Sequence, residues 1–309
     1  MILDGIQSLY EIEWFLKTGN RKPPESAEQK KKSAPAHLRL SMTPMPPVTP
    51  SDGLSFTKEE AVAEAARCLR CDCTACMDAC AMLSRYKMYP ARLMEEVNLT
   101  MNPVTLFTGR EALRQISSCS QCGLCKQVCP VGVDIGDYFL RTKRELFETD
   151  AFPPAFHDFW IRDMAFSNEA AQLLIKPDWM AESRYLFFPG CQLGGSDPRY
   201  IENTYHHLLR YLPDTALLLR CCGAPALWAG DANLHEAESA AIRQTWEDLG
   251  KPEFLLACPS CSKIFREYLP DIPFRMIYDI FMEYSIAQPS GKGTPVSIFD
   301  PCASQNDID

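Results

Sequence analysis

Cys119, Cys122, Cys125 and Cys129 fall within eleven residues, and Pro130 closes the run. Thiolates are soft ligands, and four at this spacing oblige the backbone to wrap around whatever they grip. The chain carries 15 cysteines in 309 residues. In a small secreted protein that count would signal a disulfide framework. The start, Met1 to Tyr10, has neither the basic region nor the cleavage site of a signal peptide. Reduced cysteines held by metal in a reducing cytoplasm are the better reading. No apolar run approaches the roughly 18 residues needed to cross a bilayer. A net charge of −9 and a pI near 5.2 argue against a nucleic-acid partner. The length suffices for two domains with their own cores.

Residues 2–17 place Ile2, Ile6, Leu9, Ile12 and Leu16 at helical spacing, giving an amphipathic helix. Residues 18–55 form a linker with seven prolines and a basic run at Lys30–Lys32. So long a connection is unusual inside one compact domain, so the first helix is read as part of another module. Thr57 and Glu60 make a capping box ahead of the Ala-rich EEAVAEAARC. Residues 81–118 are helical in composition, with a break near Asn102-Pro103, and a helix spans Tyr138–Phe147. Residues 151–183 read as helices with turns, and 151–184 as a helical connector. From Tyr185 the texture changes. The apolar runs YLFF, TALLL, EFLLA and VSIF end in turn residues, with helical stretches such as 199–212 and 232–249 between them. Alternating strands and helices imply a parallel α/β sheet. Each run delivers cysteine at its end: Cys191, Cys221 and Cys222, Cys258, and Cys302. Sites in open α/β sheets form beyond the carboxyl ends of the strands.

The run from Cys119 to Cys129 resembles the ligand run of bacterial ferredoxins, and Cys-Pro-Val-Gly after it is ferredoxin-like too. That resemblance implies a [4Fe–4S] cluster on the first three thiolates, with Cys129 crossing to a neighbouring cluster. A structural zinc site is the alternative. The earlier set is Cys68, Cys71, Cys73, Cys76 and Cys80, one more than a cluster needs. Cys68, Cys71, Cys76 and Cys80, the first two within EAARCLRC, resemble the iron–sulfur region of the glutamate synthase small subunit; this is the preferred selection, and it leaves Cys73 as a spare thiol or an alternative ligand. The other selection uses Cys73, Cys76 and Cys80, with Cys71 displaced by one position from the ferredoxin pattern. Ala81 stands where a ferredoxin has proline.

The third set is Cys191, Cys221-Cys222-Gly223 and Cys258-Pro259-Ser260-Cys261. It resembles the cysteine-rich CCG domain of heterodisulfide reductase, glycolate oxidase iron–sulfur and lactate-utilisation proteins, over about residues 185–302. The resemblance implies an unusual iron–sulfur centre at which disulfide chemistry occurs, with these five cysteines as the catalytic ligands. Gly223 lets backbone approach a metal closely, and Pro259 fixes a tight turn. Five thiolates exceed the needs of one tetrahedral zinc, although zinc on four of them remains the alternative. A thioredoxin-like dithiol at Cys258 and Cys261 does not open the expected pattern. Larger family members carry two CCG motifs. Here Cys302 lies 111 positions after Cys191 and opens a second copy of which seven residues follow, so the chain reads as cut short. His206 and His207 read as surface or packing residues, Trp228, Trp246 and Phe265 as core, and Asp72 and Asp78 as solvated. Gly194-Gly195 lacks the spacing of a dinucleotide fingerprint.

Residues 2–17 also resemble the last helix of glutamate-synthase-type flavoproteins. That implies a flavin reductase as an upstream fusion or partner, so FAD enters only through another protein. The fold class is therefore α/β. It divides into 1–17 as the end of a flavoprotein module, 18–55 as linker, 56–150 as a helical domain with two [4Fe–4S] clusters, 151–184 as connector and 185–309 as the CCG domain. The expected function is an iron–sulfur electron-transfer subunit of a cytoplasmic oxidoreductase, with peripheral attachment to the membrane through a partner as the alternative placement. Its partners are a flavoprotein reductase or dehydrogenase and a further redox subunit. The alternatives are a pure electron carrier with a zinc-bound CCG domain, and a flavin-fusion fragment with no independent function.

Overall fold

The structure is a computed structural model that describes residues 46–53, 55–67, 74–87, 89–102, 112–129, 132–177 and 182–284, with 297, 301 and 303. The expected helix at 2–17, Cys68, Cys71, Cys73 and Cys302 lie outside the described residues. The chain divides into two units, 1–142 and 143–309.

The first unit is built of helices. α1 (Lys58–Ala66) starts at the predicted capping box, in which Thr57 and Glu60 each satisfy the other's backbone N–H. The preceding segment is tied to the same helix: Val48 N–H donates to Glu64 and Ser51 N–H to Glu60, at 2.8 and 3.0 Å. The next helices are α2 (Ala75–Ala79), α3 (Ala81–Tyr86), α4 (Pro90–Met101), α5 (Leu113–Ser118) and α6 (Leu124–Val128). Leu83, Leu93, Val97, Leu113 and Ile116 supply the buried apolar side chains of α3, α4 and α5. Buried Thr100 donates to the Glu96 carbonyl and accepts from Ala112 N–H, joining α4 to the start of α5. α7 (Ile135–Glu148) follows and continues past residue 142 into the second unit, with Asp134 accepting from Asp137 N–H at its start. It buries Ile135, Phe139, Leu140 and Leu146 along one side.

The second unit is layered. A 3-10 turn (Pro154–Phe156) and α8 (Asp158–Asn168) lead to β1 (Leu173–Ile175). Then come β2 (Tyr185–Phe188), α9 (Gly190–Ser196), α10 (Pro198–Tyr211), β3 (Thr215–Leu219), α11 (Ala224–Ala229), α12 (Ala232–Asp248), β4 (Glu253–Leu256), α13 (Pro259–Tyr268), β5 (Phe274–Met276) and α14 (Ile277–Glu283). The sheet runs in the order β1-β3-β2-β4-β5. β2 lies between β3 and β4, and the pairs β2–β3, β2–β4 and β4–β5 are parallel. All four residues of β2 are buried, as a strand covered on both faces requires. Tyr185 and Phe187 meet Tyr205 and Leu208 of α10 and Ile277 and Ile280 of α14 on one face. Phe188 meets Phe254 and Phe265 at centroid distances of 5.8 Å on the other.

An α/β fold with a largely parallel sheet is what the alternating runs imply. Two strands differ from that reading. β1 arises within 151–183 and pairs antiparallel with β3, placing Leu173 opposite Leu219, so the sheet is mixed. β5 comes from Phe274-Arg275-Met276, where Arg275 breaks the apolar run. Its charge is met by Glu253 and Glu283, at 2.9 and 2.7 Å. Both strands are three residues long, too short for periodicity to register.

Candidate metal centres

In the first unit, α2 and α6 pack against each other and carry cysteines at matching places. Cys76 and Cys125 are each the second residue of their helix, and both are buried. Cys80 and Cys129 are the C-caps, each in extended conformation, with φ/ψ of −101/116 and −80/123. Cys125 follows Cys76, and Cys129 follows Cys80, by 49 positions. The same interval sets Cys73 against Cys122 and Arg70 against Cys119. This correspondence matches the second selection of the earlier set, in which Cys71 is displaced by one.

Cys80 belongs to the earlier set in sequence, yet its thiol faces Cys122 and Cys125 of the later one. Burial pushes its pKa up, and the two neighbouring sulfurs add to the rise. In a two-cluster ferredoxin the fourth cysteine of one run serves the other run's cluster, and the nearness of Cys80 to Cys122 and Cys125 is compatible with that crossing. Gln121 N–H points at Cys119 Sγ at 3.4 Å. Such N–H contacts to sulfur are one of the means by which a protein tunes an iron–sulfur cluster. Soft thiolates so placed fit an iron–sulfur group, which Cys80, Cys119, Cys122 and Cys125 would hold.

In the second unit, cysteines emerge where three adjacent parallel strands end. Cys191 sits in the first turn of α9 after β2, Cys221 and Cys222 follow β3, and Cys258 and Cys261 flank the start of α13 after β4. As free thiols they form an ordered chain. The Cys191 thiol is pushed up by donation to Cys221 and by burial. Cys221 is drawn down by Cys191, but donation into Cys222 and burial push it up to about 12. Cys222 is held below the ordinary thiol range, because Cys221 and Cys261 both donate to it. Cys261 is correspondingly raised by donating to Cys222 and Cys258. Cys258 is lowered to about 6 by Cys261, aided by the backbone N–H groups of Cys261 and Ser260 at the start of α13. Cys222 and Cys258 are thus the two sulfurs most ready to bear charge. Among the described residues, no three His, Cys, Asp or Glu side chains are arranged to hold a single metal ion. Five sulfurs from three loops are one more than a tetrahedral ion takes.

The glycines and the proline around these cysteines have defined neighbours. A Cβ on Gly223 would meet Glu238 Cβ at 3.0 Å and His235 Nδ1 at 3.3 Å, so its missing side chain makes room for α12. Gly190 is the glycine against sulfur: a Cβ there would lie 3.1 Å from Cys261 Sγ and 3.3 Å from Cys258 Cβ. Its φ of +74° also suits glycine. Pro259 opens α13 at its first position, with Cys258 as N-cap, instead of making a separate turn. Sequence reasoning also passed over Asn168, Arg220 and Glu238, which brace the Cys221–Cys222 loop. Asn168 lies 53 positions before Cys221 and has no local signature.

The lesser candidates are as follows. His206 is exposed, and His207 is half-buried against Tyr211 on α10. Trp246 and Phe265 are core, whereas Trp228 is only half-buried. Asp78 is exposed and accepts from Thr74 Oγ1, while Asp72 lies outside the described residues. Gly194 and Gly195 lie within α9. No described helix is long and apolar enough to cross a membrane.

Residues 59–134 match the family described as a 4Fe-4S dicluster domain. Over 254 residues the chain is 21% identical to an uncharacterized iron-sulfur protein of Methanococcus maripaludis, covering 75% of this chain and 50% of that protein. The chain thus spans about half the length of the curated relative it matches. No solved structure matches it. Both matches agree with the paired cysteine helices of the first unit: the chain is an iron–sulfur protein with a 4Fe-4S dicluster domain, which implies electron transfer.

Proposed function

We propose that this chain is the iron–sulfur subunit of an oxidoreductase, relaying electrons between a flavoprotein reductase or dehydrogenase and a thiol site of heterodisulfide-reductase type. The first unit would hold two [4Fe–4S] clusters, which supply one-electron transfer. The second would hold a third iron–sulfur centre on Cys191, Cys221, Cys222, Cys258 and Cys261. The observation that supports this reading most is the convergence of those five cysteines from three adjacent strand ends. FAD belongs to the partner, a further redox subunit completes the assembly, and the complex works in the cytoplasm or at the membrane surface through that partner.

With a disulfide as acceptor, each turnover takes two electrons from the reduced flavoprotein and two protons from solvent. The S–S bond breaks and two thiols form. Metal and labile-sulfide analysis of anaerobically purified protein tests the proposal. About twelve irons or more per chain support the third centre, whereas about eight irons with one zinc make the chain a pure carrier with a structural zinc site. Cys222→Ser sharpens the test: undiminished disulfide reduction by the assembled complex would overturn the catalytic reading.

A further inference from the structure

The N–H of Cys221 lies beyond the last residue of β3 and is buried with its residue. A buried N–H without a partner is costly. Its partner is the side chain of Asn168, the last residue of α8, whose Oδ1 accepts at 2.7 Å. The Asn168 amide is itself held, since Nδ2 donates to Glu238 Oε2 at 2.6 Å. Glu238 in turn pairs with Arg220, the residue before Cys221, and both are largely buried. Glu238 also packs beneath Gly223. One turn earlier on α8, Met164 is buried in a cluster with Cys221 and Ala226, and Ile161 packs against that cluster. The loop from Arg220 to Gly223 is therefore braced along its whole length by α8 and α12.

We propose that Asn168 is a positioning residue for the Cys221–Cys222 pair: anchored by Glu238 and Arg220, it fixes the Cys221 backbone and so the direction of both sulfurs. Cys222 is the sulfur toward which both Cys221 and Cys261 are directed, so a displaced loop uncouples β3's thiols from those of β4. The functional weight of this rests on the proposed third centre, but the positioning itself does not.

The test uses the full chain in two states. In reduced, metal-stripped protein, iodoacetamide labelling of each cysteine is followed by peptide mass spectrometry. Asn168→Ala is expected to speed labelling of Cys221 about tenfold, the worth of one buried hydrogen bond, with Cys129 of the first unit unchanged as internal control. Asn168→Asp sets a carboxylate against Glu238 and is expected to speed labelling likewise. The double variant Asn168→Asp with Glu238→Gln restores donor and acceptor in reverse order and is expected to return labelling to within about twofold of wild type. In anaerobically loaded protein, Asn168→Ala is expected to shift the electron paramagnetic resonance signal of the second unit and leave the dicluster signals in place. Unchanged Cys221 labelling in Asn168→Ala overturns the proposal, as does equal acceleration at Cys258 and Cys261, or failure of the double variant to rescue. Loss of the third-centre reading would appear separately, as wild-type protein that loads no iron in its second unit while the labelling pattern stands.

Discussion

Cys125 and Cys222 are both buried thiols, yet one sits in a region made around its cysteines and the other in a region that would exist without them. Around Cys125 the helices are five or six residues long, apart from α1, α4 and α7. Helices this short do not persist alone, and Cys119, Cys122 and Cys129 are only half-buried. Around Cys222 stands a five-stranded sheet with Phe187, Phe188, Phe254 and Phe265 fully buried. Each such side chain contributes roughly 2–3 kcal/mol by leaving water. A thiol set can thus be the organising core of a fold or a fitting mounted on a finished one.

The strongest way to break this contrast is to withhold metal. Iron-free protein is expected to lose the structure of 59–134 and keep that of 143–309, since ligand binding is folding energy where no other core suffices. Limited proteolysis with mass mapping of the surviving fragment reads the outcome, and equal resistance of both regions would refute the contrast. Next in size is Cys80→Ser. Because Cys80 faces Cys122 and Cys125, the variant should lose about four irons and disturb the cluster of the later run. A loss confined to the earlier run, in spectra of the purified variant, would show that the crossing does not occur.

Glycine substitutions sharpen the contrast further. Gly230 has φ +89°, and a Cβ on it would lie 2.5 Å from the Lys143 carbonyl oxygen. Gly230→Ala should cost about 3 kcal/mol or more, read as a lower denaturation midpoint of the second unit. Gly132 in the first unit has φ +70° with nothing within 4 Å. Gly132→Ala should cost only the backbone strain, about 1 kcal/mol. Equal costs would mean that the two regions are packed alike.

The smallest effect is with pH. Burial, then the charge of Lys143, lowers the His157 pKa to about 4, and burial lowers that of His235. A histidine kept neutral in the folded chain gains its proton more easily on unfolding. Stability from these groups is therefore complete above pH 6.5 and is lost as pH falls toward 4. The melting temperature of the second unit should decline over that window, and less so in His157→Phe.

The strands β2, β3 and β4 were legible because each is a short, continuous apolar run closed by turn residues and cysteine. α1 was legible from its cap, and α7, α10 and α12 from their spacing. The cysteines stood out by their close spacing, and the structure sets Cys76 and Cys80 at the same places on α2 as Cys125 and Cys129 on α6. What the chain hid is of another kind. β1 and β5 exist only because a neighbouring strand offers hydrogen bonds to three residues. Asn168 reaches Cys221 across 53 positions, so no window of sequence contains both. Gly190 and Gly223 were visible as glycines, but which neighbour each makes room for is decided by packing.

The Gly190 contact carries a consequence for anyone wishing to reshape this sulfur-lined floor. Main chain from one loop rests directly on the side chains of another, so an added methyl at Gly190 would press on Cys261 Sγ and Cys258 Cβ and shift them from their places. New chemistry is therefore better introduced by exchanging an individual thiol for another donor than by altering the scaffold beneath it.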